Sequence, residues 1–218
     1  MIKYILFDLD GTLTESAPGI TNSIKHTYKH YGITDYDEAE LHKFVGPPLI
    51  ESFMRYCGFT QEKASEAVDV YREYFSTKGL FENAVYGGIP ECLETLKNAG
   101  FKLAVATSKP QVFCERILEH FDLAKYFDVV KGIPLDDEQM TKAQVIAYAL
   151  GALGVTDKIE AVMIGDRDYD VKGAKENGIS CVGVLYGYGS RSELESAGAI
   201  CICDTVEALT KYLMQSAE

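Results

Sequence analysis

Short apolar runs alternate along this chain with segments whose apolar residues recur every three or four positions. Ile5-Leu6-Phe7 is the first such run and ends in Asp8-Leu9-Asp10-Gly11-Thr12. Runs of similar character occupy 102–107, 127–130, 161–165 and 181–184. Their brevity and continuous apolar character read as strands buried on both faces. Between them, 90–99, 111–120, 142–150 and 169–176 carry helical periodicity, with Gly100 and Gly178 placed to stop two of them. Strands alternating with helices of about ten residues predict an α/β fold, a Rossmann-like parallel sheet with helices on both faces. Residues 205–214 are expected to close the chain as a helix capped by Thr205, with Val206, Leu209, Tyr212 and Leu213 on its apolar face.

One interval breaks the alternation. About 90 residues between Leu9 and Lys102 hold no clear strand, far more than a single crossover needs. Residues 16–31 place Ile20, Ile24, Tyr28 and Tyr31 on one helical face. Further helices are expected over 41–44, 49–56 and 60–78, the last with Ala64, Ala67, Val68, Tyr71, Tyr74 and Phe75 in register and Gly79 behind it. Four helices in one insertion form a small bundle. The expected organisation is therefore a core of residues 1–14 and 87–218 and an inserted α-helical cap domain of residues 15–86. The linkers near Thr14 and at Tyr86-Gly87-Gly88 are placed to act as hinges. The alternative is a helical insertion that only stabilises the sheet edge.

Charge narrows the partners. Lys and Arg total 21 against 33 Asp and Glu, a net charge of −12. That field repels nucleic-acid backbone and anionic lipid, so neither nucleic acid nor membrane is an expected partner. It also opposes an anionic substrate, which would need local cations or a metal. No apolar run approaches the ~20 residues of a membrane span, and Lys3, Asp8 and Asp10 are out of place in a signal peptide. The cysteines at 57, 92, 114, 181, 201 and 203 form no Cys-x-x-Cys pair and read as reduced thiols of a cytoplasmic protein. A monomer or small homo-oligomer is expected.

Parallel sheets bind ligands beyond the carboxyl ends of their strands. Asp8 and Asp10 end the first predicted strand, Thr107, Ser108 and Lys109 the second, and Gly165-Asp166-Arg167 the fourth, with Asp170 one helical turn on. Lys142 opens the helix before the fourth strand. Several carboxylates at one point repel each other and persist when a cation neutralises them. An all-oxygen donor set suits Mg²⁺ better than zinc or calcium. A lysine and hydroxyls in the same place suit a phosphate that bridges to the metal. A carboxylate there can attack phosphorus, and a second, two residues on, can move the proton. Taken singly, each element reads as a turn, a helix cap or a solvated charge; the order and placement of all four carry the signal.

Asp8-Leu9-Asp10-Gly11-Thr12-Leu13 resembles the first motif of the haloacid dehalogenase superfamily. Val105-Ala106-Thr107-Ser108-Lys109-Pro110 is similar to the second motif in its phosphoglycolate phosphatase-like branch. Thr141-Lys142-Ala143 resembles the third, and Ile164-Gly165-Asp166-Arg167-Asp168-Tyr169-Asp170 the fourth. Gly187-Tyr188-Gly189-Ser190 is similar to the loop after that branch's fifth strand. The resemblance implies a Mg²⁺-dependent phosphatase acting on a small phosphorylated metabolite. It implies Asp8 as nucleophile and metal ligand, Asp10 as general acid/base giving the metal its backbone carbonyl, and Lys142 as the balancing charge. Thr107, with Ser108 and Lys109, would hold the phosphoryl group. Asp166 and Asp170 would serve the metal, and Gly46 would lie in the cap loop that meets substrate. Two departures stand out: Ala143 follows the lysine where proline is frequent, and Tyr86-Gly87-Gly88 replaces the frequent Tyr-Pro-Gly.

Other readings share parts of this pattern. A phosphomutase of the same fold, like β-phosphoglucomutase, would pass the phosphoryl group to a second hydroxyl before water. A phosphoacceptor receiver module needs an acid at the end of the third strand, where Val130-Lys131 stands instead. A catalytically idle binding protein would have no need of the full motif set.

Overall fold

The computed structural model describes residues 1–135 and 140–216. It divides into two compact units, residues 1–14 with 85–218 and residues 15–84. The chain passes between them through two short paired strands, β2 (Thr14–Glu15) and β3 (Ala84–Val85).

The larger unit is built on β1 (Tyr4–Phe7), β4 (Lys102–Pro110), β5 (Val129–Ile133), β6 (Ala161–Gly165), β7 (Ser180–Val184) and β8 (Cys201–Cys203). Among the described residues they form one parallel sheet in the order β5-β4-β1-β6-β7-β8. The apolar run Ile5-Leu6-Phe7 takes a central place, and all three residues are fully buried. Residues alternate between the two faces of a strand. Leu6, Ala104, Ala106 and Met163 share one core with Val145, Ile146, Ala149 and Leu150 of α6 (Lys142–Leu153) and Val171 and Ala174 of α7 (Asp168–Glu176). Ile5, Phe7, Leu103 and Val105 are buried as well, and they alternate with that set. They call for cover by α4 (Ile89–Asn98), α5 (Gln111–His120) and α9 (Val206–Gln215), whose Leu93, Leu96, Ile117 and Leu209 are all buried. Burying each Leu or Ile side chain contributes about 1.5–3 kcal/mol. The six cysteines are free thiols.

The smaller unit contains α1 (Ala17–His30), a 3₁₀ helix (Glu38–Phe44), α2 (Leu49–Cys57), α3 (Gln61–Tyr74) and a π turn (Phe75–Gly79). The expected helix over 60–78 is thus divided. Thr60 caps α3 by accepting from the Lys63 amide at 3.3 Å. After Tyr74 the coil widens, and the Leu80 amide donates back to the Phe75 carbonyl at 2.7 Å. The widening coincides with the crossing of α1. A Cβ on Gly19 would stand 1.9 Å from the Gly79 carbonyl oxygen, so backbone meets backbone there. A π turn absorbs the displacement that a continuous α-helix would not. Among the described residues no helix is long and apolar enough to cross a membrane.

The sheet exceeds the expected strands by β8, and α8 (Arg191–Ala197) is also additional. The start of β5 is pinned electrostatically. Asp128 accepts from Lys97 Nζ at 2.9 Å, Lys102 Nζ at 3.0 Å and the Leu103 amide at 3.0 Å. Burial opposes its charge, and the lysines and the amide overcome that and bring the carboxyl down to about 2. A carboxyl lowered by folding stabilises the protein above its unfolded value of about 3.9 and loses that contribution as pH falls through the folded value. Asp128→Asn should therefore cost about 1–2 kcal/mol at neutral pH, after discounting for the solvent-exposed lysines. The gap from wild type in urea unfolding should close as pH is lowered from about 4 toward 2.

Candidate active site

Strand β1 delivers the first acid directly. The Asp8 amide continues the sheet ladder by donating to the Ile164 carbonyl at 2.9 Å, which sets Asp8 beside the end of β6. The chain then turns within Leu9–Thr14: the Thr14 amide donates to the Leu9 carbonyl at 3.0 Å, and the Gly11 amide to the Thr14 carbonyl at 2.8 Å. Asp10 is thereby held two residues beyond Asp8.

At the end of β6, Asp166 is fully buried, and Asp170 in the first turn of α7 is 1% exposed. The Arg167 amide donates to Asp170 Oδ2 at 3.1 Å, so the same carboxylate that enters the site also caps α7. Ligand oxygens of Asp8, Asp166 and Asp170 lie within 4.8 Å of one another, the one such cluster found among the described residues. Burial and the neighbouring carboxylates of Asp170 and Asp8 push the Asp166 carboxyl well above its usual range. Burial also raises Asp170, to about 6, with Lys142 opposing the rise and Asp8 adding to it.

Lys142 meets this charge. A capping box starts α6: Thr141 Oγ1 accepts from the Gln144 amide and Gln144 Oε1 from the Thr141 amide, which fixes the first turn. The Nζ of Lys142 lies 2.8 Å from Asp8 Oδ1 and 2.7 Å from Asp170 Oδ1. Burial alone would discharge this ammonium; Asp170 and Asp8 reverse that and hold it charged.

Strand β4 contributes the other side. Its pairing with β5 shifts register between Ala106 and Pro110, an irregularity that falls on Thr107-Ser108-Lys109. Bulges of this kind re-aim side chains at sheet edges. Thr107 and Lys109 are buried and Ser108 between them is exposed. Thr107 Oγ1 accepts from the Lys109 amide at 3.2 Å, and Lys109 Nζ donates to Asp10 Oδ2 at 2.7 Å. Lys142 pairs with Asp8 and Asp170, beside which Asp166 lies, and Lys109 pairs with Asp10. Thr107 joins through Lys109. The Asp10 carboxylate is not one of the acidic trio and pairs with Lys109. Gly46 lies in the smaller unit, just past the 3₁₀ helix, with φ +104°.

The donor set fits a divalent cation. It is all oxygen, largely buried, and concentrated enough that its charge needs compensation beyond one lysine. Thr12 and Glu193 are site neighbours that the sequence pattern did not single out. Thr12 Oγ1 donates to Asp166 Oδ1 at 3.4 Å, while Glu193 sits behind Asp166, on the residues that follow it. Thr12 belongs to the first motif; Glu193 carries no local signal, because only the fold brings α8 to this loop.

A parallel sheet with acids, lysines and a hydroxyl at its carboxyl edge places the protein among α/β enzymes that work at that edge. The chain belongs to the haloacid dehalogenase-like hydrolase family, whose profile matches residues 5–184. It is similar to a 5'-nucleotidase of Pseudomonas aeruginosa, 44% identical over 209 residues, covering 96% of this chain and 94% of that protein. Tyrosine-protein kinase PtkA of Mycobacterium tuberculosis is 41% identical over 86% of this chain and 63% of its own length. A phosphoglycolate phosphatase of Colwellia psychrerythraea is 30% identical, covering 95% of each. Among solved structures, a predicted phosphatase from Clostridium acetobutylicum superposes with a TM-score of 0.94 at 51% identity, covering 99% of both chains. The expected fold class and family are thereby met, and the protein is a hydrolase of the phosphatase type.

Replacing Lys142 removes a buried cation held between two carboxylates. Lys142→Met should lower stability by about 3–5 kcal/mol, because uncompensated buried charge is left behind. Denaturant unfolding at neutral pH measures this directly.

Proposed function

We propose that this protein is a Mg²⁺-dependent phosphatase that hydrolyses a small phosphomonoester through an aspartyl-phosphate on Asp8. The observation that carries the reading is the meeting of Asp8, Asp166 and Asp170 with Lys142 at the end of β1, beside Asp10 and Lys109. The names of two relatives, a nucleotidase and a phosphoglycolate phosphatase, support the substrate class.

In this reading Asp8 attacks phosphorus, and the ester oxygen leaves with a proton from Asp10. Asp10 then takes a proton from water as that water attacks the phosphorus of the acyl phosphate, releasing phosphate and restoring Asp8. Lys142 offsets charge that builds on Asp8 and the phosphoryl oxygens. Thr107, Ser108 and Lys109 bind those oxygens. Asp8, Asp166 and Asp170, with the Asp10 carbonyl, would hold Mg²⁺, which would polarise the phosphoryl group when bound. The helical unit serves as the cap, with Gly46 in the loop that meets substrate.

The test is phosphate release from a panel of nucleoside monophosphates, phosphoglycolate, sugar phosphates and pyrophosphate, with Mg²⁺ or with EDTA. Turnover should require the metal, and Asp8→Asn should lower the rate by about 10³-fold or more, since the amide is nearly isosteric but a poor nucleophile. Equal rates in Asp8→Asn and wild type would overturn the covalent route. Isomerisation of a sugar phosphate faster than phosphate release would make the protein a mutase. Transfer from ATP to tyrosine without ester hydrolysis would replace hydrolysis with kinase chemistry.

A further inference from the structure

Asp166 is held by a loop and a helix to which the proposed reaction gives no task. The loop after β7 runs past it at backbone distance. The Tyr188 amide donates to Asp166 Oδ2 at 2.8 Å. A Cβ on Gly187 would stand 2.5 Å from the Asp166 Cβ, and one on Gly189 would stand 1.8 Å from the Asp166 carbonyl oxygen. With Thr12 on Oδ1, both carboxylate oxygens are engaged from fixed directions.

A loop rich in glycine does not hold itself, so something must fix it. Ser190 caps α8 by accepting from the Glu193 amide at 3.2 Å. The Glu193 carboxylate then meets the residues that follow Asp166. Its Oε1 accepts from Arg167 Nε at 2.8 Å and from the Asp168 amide at 3.0 Å. One carboxylate oxygen thereby ties α8 to the two residues that follow Asp166 and satisfies an amide at the start of α7. The next residue, Leu194, anchors α8 to the sheet: it is fully buried, and its Cδ1 would lie 2.8 Å from a Cβ on Gly183.

We infer that Glu193 is a positioning residue for the divalent-cation site: it clamps the Gly187–Gly189 loop onto Asp166 and so fixes the direction in which that carboxylate is presented. The inference rests on the metal reading proposed above. Mg²⁺ demands near-ideal octahedral geometry, so small rotations of a ligand are felt in affinity. Outer groups that orient a ligand typically affect metal affinity by about 10–100-fold. Glu193 touches neither substrate nor metal in this scheme and acts through the loop, Arg167 and the Asp168 amide.

The experiment is Mn²⁺ titration of the substrate-free protein followed by electron paramagnetic resonance, with thermal melting in parallel. Glu193→Ala should raise the Mn²⁺ Kd by about 10-fold or more while leaving a cooperative melt. Glu193→Gln retains the acceptor for the Asp168 amide but not the charge facing Arg167, so its Kd should fall between Glu193→Ala and wild type. Glu195→Ala, which removes an exposed partner of Arg191 on the same helix, should bind Mn²⁺ as wild type does. A wild-type Kd in both Glu193 variants would overturn the inference, as would an equal rise in Glu195→Ala. Should Glu193→Ala fail to fold, Glu193→Gln decides alone: a raised Kd supports the clamp and an unchanged one overturns it. Absence of Mn²⁺ binding by the wild type would instead overturn the metal reading itself, and this inference with it.

Discussion

Asp8, Asp166 and Asp170 bring carboxylate oxygens within 4.8 Å of one another, and Asp166 and Asp170 are out of contact with solvent. Desolvating such a charge costs several kcal/mol for each group, and their mutual repulsion adds to it. Much of the surrounding structure answers that cost. Lys142 is placed between two of the acids by a capped helix start. The backbone amides of Arg167 and Tyr188 point at the other oxygens. The central position of β1 matters for the same reason: it lets acids from β1 and α7 and a cation from α6 meet over one strand end.

Asp8 and Asp10 have opposite electrostatic settings although one residue separates them. Asp8 faces two carboxylates and shares Lys142 with Asp170, whereas Asp10 pairs with Lys109. The turn through Leu9–Thr14 and the irregular register of β4 produce that separation. Two carboxylates in different surroundings are the arrangement in which one can act on phosphorus and the other on a proton.

The core was legible in the sequence where its physics is local. Ile5-Leu6-Phe7, 161–165 and 181–184 announce themselves as strands because both faces are buried and every position is apolar or small. The family motifs lie at the ends of those strands and were readable with them. Strand β8 was not, because it is three residues long and only Cys203 of it is buried. Helix α8 reads as a polar stretch, with Leu194 its only buried residue. The division of the 60–78 helix falls where Gly19, sixty residues before Gly79, brings α1 against its backbone. Glu193 was illegible for the same reason: its partners, Arg167 and Asp168, lie more than twenty residues before it.

The crossing of α1 over the π turn has a consequence for how this protein can drift. Where side chains fill a core, as Phe44 and Phe53 do in the same helical unit, a loss of volume at one position can be balanced by a gain at another. At Gly19 there is no side-chain volume to exchange, because a Cβ there would meet only main chain, the Gly79 carbonyl first. Compensation is closed to Gly19, so its history should be one of stasis within a unit whose aromatic layer is free to wander.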